Sequence, residues 1–224
     1  MDASNTKFQF SKKLFAESFG TFSIIFFGCS SIILNEISQG SLGHAGVNLA
    51  FGLVVGLLVI SLTALSGAHF NPAVTIGLVF LRQFPLKVAP FYIAAQFLGG
   101  ILGALALKLL FSDLANLSAT SPSGSVLQSF SVEVFLTMFL MFAVAVISSK
   151  PELSTWKIAV IIGVIIIAAG LIGGTISGAS MNPARSFGPA LVAGDLTTLW
   201  IYMIAPIFGS LLGASIFKIV SLKR

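Results

Sequence analysis

The sequence predicts an all-α membrane protein, with six transmembrane helices and two half-helices arranged as an inverted repeat in one domain, 1–224. Three observations point there. Of 224 residues, 56% are hydrophobic and 8% charged, whereas a soluble domain carries roughly a quarter charged residues. Six apolar runs qualify or nearly qualify for the ~20 residues a helix needs to cross a bilayer. The two halves of the chain also repeat one another, in order.

The apolar runs cover 14–34, 45–65, 88–107, 130–147, 158–176 and 199–217. The first contains Glu17 and is followed by no small-residue cleavage pattern, so it reads as a retained span rather than a secretory leader. The fourth is the shortest and contains Glu133. Two further stretches, 70–80 and 181–192, follow the second and fifth spans, contain Asn-Pro near their starts, and are too short to span. Segment 112–128, with Pro122 and Gly124, reads as an external loop joining halves 12–110 and 129–217; the segment 150–155 reads as a cytoplasmic hinge.

Basic residues set the orientation. Six spans place both termini on one side, with Lys7, Lys12, Lys13, Arg82, Lys87, Lys150, Lys157, Lys218, Lys223 and Arg224; the other side has Lys108 and Arg185. That asymmetry predicts cytoplasmic termini. The net charge of +5 is spread over the ends of apolar runs, so no nucleic-acid patch is expected. Cys29 stands alone, which rules out a disulfide framework. Two histidines and one cysteine, set apart, give no metal-ligand spacing. No nucleophile–base pair stands out, so neither an enzyme nor a cofactor is expected.

The repeat carries most of the functional information. Glu17-Ser-Phe-Gly-Thr21 matches Glu133-Val-Phe-Leu-Thr137, Ser66-Gly-Ala-His-Phe-Asn-Pro-Ala73 matches Ser177-Gly-Ala-Ser-Met-Asn-Pro-Ala184, and Gly99 and Gly103 match Gly209 and Gly213. The separation stays near a constant value of about 110 residues. Three spans per half is an odd number, so the second half enters the membrane upside down. Inverted repeats place their sites near the midplane, at broken helices donated by both halves.

Asn71 and Asn182 suit helix N-caps, and Pro72 and Pro183 suit the first helical position. A half-helix starting at mid-membrane aims free N–H groups and the positive end of its dipole at the centre. The non-helical residues before it, Gly67-Ala-His-Phe70 and Gly178-Ala-Ser-Met181, are tolerated at that depth where they line a wet cavity. The expected path has carbonyl acceptors along its wall (Gly67, Ala68, His69, Phe70, Gly178, Ser180 and Met181) and two side-chain amides at its centre. Opposed positive helix ends make that centre hostile to cations, hydronium included.

With both Asn-Pro-Ala motifs in place, the second continuing as Asn182-Pro-Ala-Arg-Ser-Phe-Gly188, the chain resembles the aquaporin superfamily from about residue 12 to 217. The wording around the motifs looks most like the nodulin-like branch and its bacterial relatives. The resemblance implies homotetramers in a lipid bilayer with one pore per subunit. It also implies a passive path for water and small uncharged solutes: glycerol, or neutral metalloid acids such as boric, silicic or arsenous acid. It implies that Glu17 and Glu133 hold the broken backbone as structural carboxylates.

The family's constriction, carried over, falls on Phe51, Gly170, Ala179 and Arg185. Strict water channels usually place histidine where Gly170 stands, so Gly170 and Ala179 are expected to widen the pore. Glycerol channels typically place aspartate where Ser186 stands, and in this the chain departs from their pattern. Three alternatives stay open: a strict water channel, a secondary transporter, for which Glu17 and Glu133 are the only candidate coupling groups within spans, and a closed junction protein.

Overall fold

Gly67 and Gly178 decide where two of the long helices stop. Each takes a left-handed backbone (φ 90° and 82°) that L residues disfavour, and each caps the C-terminal end of a long apolar helix. The computed structural model describes residues 3–221, with the side chains of all of these except 3–7, 113, 115 and 117. Lys223, Arg224 and the side chain of Lys7, all counted in the charge asymmetry, lie outside the described residues.

The chain runs α1 (Ala3–Ser23), a π-helical segment (Ile24–Cys29), α2 (Ser30–Ile37), α3 (Gly43–Ser66), α4 (Pro72–Phe80) and α5 (Ala89–Phe111). After a 3₁₀ turn (Ser112–Ser118) come α6 (Val126–Ser148), α7 (Thr155–Ser177), α8 (Pro183–Ala193) and α9 (Leu199–Ser221). Among the described residues six helices are long and apolar enough to cross a membrane, α1 and α2 joining through the π segment into one span. The short α4 and α8 are the half-helices.

The helix ends differ from the expected ones for local reasons. The first helix starts at Ala3, ahead of the apolar run, because a helix can continue into water past its hydrophobic stretch. Helix α6 starts at Val126, because the Ser125 side chain caps it by accepting from Gln128 N. Part of segment 112–128 is therefore helical. Phe70 and Met181 fall before their half-helices, which start at Pro72 and Pro183.

Glycines set how close the helices come. A Cβ on Gly99 would run into Ser18 O of α1, and one on Gly103 would sit 2.9 Å from Phe22 O. In the second half, a Cβ on Gly209 or Gly213 would strike Val134 O or Met138 O of α6. The matched glycines thus build matched crossings, α1 on α5 and α6 on α9, through backbone-to-backbone approach. The halves join where α3 meets α7: a Cβ on Gly52 would lie 2.6 Å from Gly163 O, and one on Gly163 2.9 Å from Gly52 O.

Candidate functional site

Both asparagines are N-caps. Asn71 (φ −151°, ψ 119°) accepts from Ala73 N at 2.9 Å, and Asn182 (φ −147°, ψ 107°) accepts from Ala184 N at 3.0 Å and Arg185 N at 3.3 Å. Their amides also tie the halves together. Asn71 Nδ2 donates to Met181 O at 2.8 Å, and Asn182 Nδ2 donates to Phe70 O at 2.9 Å. Each NH₂ group has two hydrogens, so one remains for the lumen.

The loops before the half-helices are folded alike. Ala68, Phe70, Ala179 and Met181 all have positive φ, between 43° and 54°, a conformation costing of order 1–3 kcal/mol per residue. Buried carboxylates offset that strain. Glu17 Oε1 accepts from Ser66 Oγ (2.7 Å) and His69 N (3.0 Å), and Oε2 accepts from Phe70 N (2.7 Å) and Gln96 Nε2 (2.8 Å). Glu133 Oε1 accepts from Ser177 Oγ (2.7 Å) and Ser180 N (2.8 Å), and Oε2 from Met181 N (2.7 Å). Tyr92 and Tyr202 complete the symmetry, their hydroxyls donating to Ser66 O (2.8 Å) and Ser177 O (2.7 Å). Sequence reading missed both tyrosines, although they too stand about 110 residues apart.

A cavity of about 890 Å³ runs past these loops. Toward one mouth it is bordered by His44 and Ser121, toward the other by Lys150 and Leu153. Every residue expected at the centre, at the constriction and along the backbone wall lines it. Glu17 and Glu133 do not; they stand behind the loops they hold. His69 packs its ring against Phe84 and Tyr92, and its Nδ1 lies 3.1 Å from Thr75 Oγ1.

Arg185, 5% exposed, donates from Nη1 to Ser118 O at 2.7 Å, and its guanidinium carbon lies 5.4 Å from the centre of the Phe51 ring. A guanidinium carries five N–H groups, so donors remain for the lumen. The anchor is a backbone carbonyl of the 3₁₀ turn, a partner with no sequence signature. The π-helical segment brings Gly28 under Phe51, where a Cβ would sit 2.5 Å from the ring.

The recess beside Gly170 is not open. A Cβ on Gly170 would run into Asn48 Oδ1, and one on Gly174 would lie 2.7 Å from His44 Cε1. The expectation that Gly170 widens the pore is corrected accordingly: a carboxamide from α3 takes much of the room the missing side chain leaves. The cavity's charged lining residues are Lys150 and Arg185, and among the described residues no carboxylate lines it.

Known proteins are similar to this chain in sequence and in fold. The family model for Major intrinsic protein matches residues 4–217. Nodulin-26 of Glycine max is 42% identical over 94% of this chain and 78% of its own length. Aquaporin NIP1-1 of Oryza sativa subsp. japonica is 39% identical over 94% of this chain and 75% of its own. Among solved structures, the aquaglyceroporin from Plasmodium falciparum superposes with a TM-score of 0.84 at 27% identity, covering 95% of this chain and 99% of that one. The chain therefore belongs to the major intrinsic protein family, the aquaporins, on its nodulin-like side.

Proposed function

We propose that this chain, a multi-pass membrane protein in a family of passive channels rather than enzymes, conducts water and small uncharged hydroxylated solutes while excluding ions and protons. The solutes are of glycerol or boric acid size. One observation carries the reading: Asn71 and Asn182 cap two half-helices that meet in the cavity, and Arg185 stands beyond them beside Phe51. An amide N–H at the centre and guanidinium N–H groups toward one mouth replace the hydration of a neutral permeant. The backbone carbonyls of residues 67–70 and 178–181 supply the acceptors. Glu17 and Glu133 act as struts, and Phe51, Gly170, Ala179 and Arg185 as the constriction. The protein assembles as a homotetramer with cytoplasmic termini and a separate pore in each subunit.

Stopped-flow light scattering on proteoliposomes tests this. Water, glycerol and boric acid should all equilibrate faster than in protein-free vesicles, and imposed sodium or proton gradients should leave the rates alone. Exclusion of both solutes would reduce the protein to a strict water channel. Accumulation of solute above its outside concentration would make it a transporter.

A further inference from the structure

The α3–α7 seam has a pattern that the four-residue constriction does not explain. Along α3, His44, Asn48, Gly52 and Gly56 recur every fourth residue and so share one face. Opposite them on antiparallel α7 stand Gly174, Gly170, Gly163 and Ala159. At the two turns nearest one mouth, α3 contributes polar side chains and α7 contributes glycines; deeper in, Gly52 meets Gly163 and Gly56 meets Ala159. Gly170 and Gly174 thus act as seats for Asn48 and His44.

Asn48 is held in its seat. Its Nδ2 donates to His44 O at 2.8 Å and lies 3.3 Å from each ring nitrogen of His44, whose Nε2 is 3.2 Å from Leu171 O. Reversing the amide would set Oδ1 against the His44 carbonyl, acceptor to acceptor, so the bond fixes which end faces Gly170. Asn48 is 8% exposed and lines the cavity one helical turn before Phe51. No donor among the described residues reaches Oδ1. Arg185, which lines the same cavity and lies beside the Phe51 ring, is a donor with no acceptor capacity.

We propose that Asn48 is a fifth wall group of the constriction, setting the upper size limit in place of Gly170 and offering Oδ1 as acceptor to a solute hydroxyl that Arg185 binds from the other side. This rests on the solute range proposed above and deepens it. The favoured permeants are compact molecules bearing several hydroxyls, which accept from Arg185 and donate to Asn48 at once. An apolar molecule of equal cross-section leaves both groups unpaired.

Three variants, reconstituted at equal protein density, separate size from polarity. Asn48→Ala empties the recess, so erythritol, one carbon longer than glycerol, should gain permeability relative to water by about tenfold, a barrier change near 1.4 kcal/mol. Asn48→Leu keeps the bulk and deletes the acceptor, so the glycerol-to-water ratio should fall about threefold or more, close to the loss of one hydrogen bond. Gly170→Ala, which drives its methyl into Oδ1, should depress glycerol flux alone but not in the Asn48→Ala background, the non-additivity expected of groups in contact. Monodispersity in detergent and helical circular dichroism identify any variant that fails to fold, and the remaining variants still decide the matter. Solute-to-water ratios within about twofold of wild type in both Asn48 variants would overturn the proposal. If wild type excludes glycerol, the proposed solute range fails, but this inference is still decided by whether Asn48→Ala admits it.

Discussion

Glu133 places Ser177 Oγ and Ser180 N on one oxygen and Met181 N on the other. A glutamine there must turn its NH₂ toward a backbone N–H in either orientation, leaving a buried donor unpaired at about 1–3 kcal/mol. Those bonds help hold a loop in which Ala179 and Met181 have strained positive φ. Glu133→Gln should lower the apparent melting temperature in detergent by several degrees and reduce water flux per reconstituted protein. A variant that melts and conducts like wild type would show that the carboxylate is dispensable. The two asparagines, the arginine and both glutamates were legible in the sequence because each sits in or repeats with a local motif. Asn48, Gln96 and Ser118 were not. A lone carboxamide inside an apolar span signals that it needs a partner, yet Gln96 finds its partners on distant segments, Glu17 and Thr75, and the place of Asn48 is set by its closeness to Gly170 of α7. Ser118 acts through its carbonyl, which every residue has.

At the scale of helices, the crossings discriminate between glycines that look alike in sequence. Gly209 abuts Val134 O, where an added Cβ has no room, whereas a Cβ on Gly56 would lie 3.3 Å from Ala159 O. Gly209→Ala must push α9 off α6, and such overpacking costs about 1–3 kcal/mol; Gly56→Ala asks only a shift of a few tenths of an ångström. Thermal unfolding in detergent should therefore rank Gly209→Ala well below Gly56→Ala, and equal melting would refute the contact-based ranking. The existence, number and order of the spans were readable because length and hydropathy are set by the bilayer itself. Their ends were not, since caps such as Ser125 and the polar first turns of α1 lie outside the apolar signal. The π-helical segment was also invisible. Its widened turn is carried by Ile24–Cys29, an apolar stretch that reads like any other membrane helix, and only the closeness of Gly28 to Phe51 shows what it positions.

For the whole molecule, the proposed exclusion of ions rests on where the charges lie. Each half-helix presents about half a positive charge at its N-terminus, and α4 and α8 aim theirs at the same stretch of cavity from opposite halves. Arg185 adds a full charge closer to one mouth, Lys150 lies at the other, and no described carboxylate lines the path between. The two buried glutamates are spent on loop hydrogen bonds behind the wall. A cation entering this cavity sheds hydration against positive groups at each stage, whereas a neutral solute meets donors and carbonyls it can bond. Planar bilayers containing the protein should therefore show no conductance above the lipid background while the same preparation conducts water. Arg185→Val removes about half of the fixed positive charge inside the membrane, together with the guanidinium's hydrogen bond to Ser118 O. That variant should remain a water channel and acquire a measurable cation leak, still limited by the two half-helix ends. A steady cation current through the wild type would contradict the electrostatic account. An equally tight Arg185→Val would assign the exclusion to the half-helices alone.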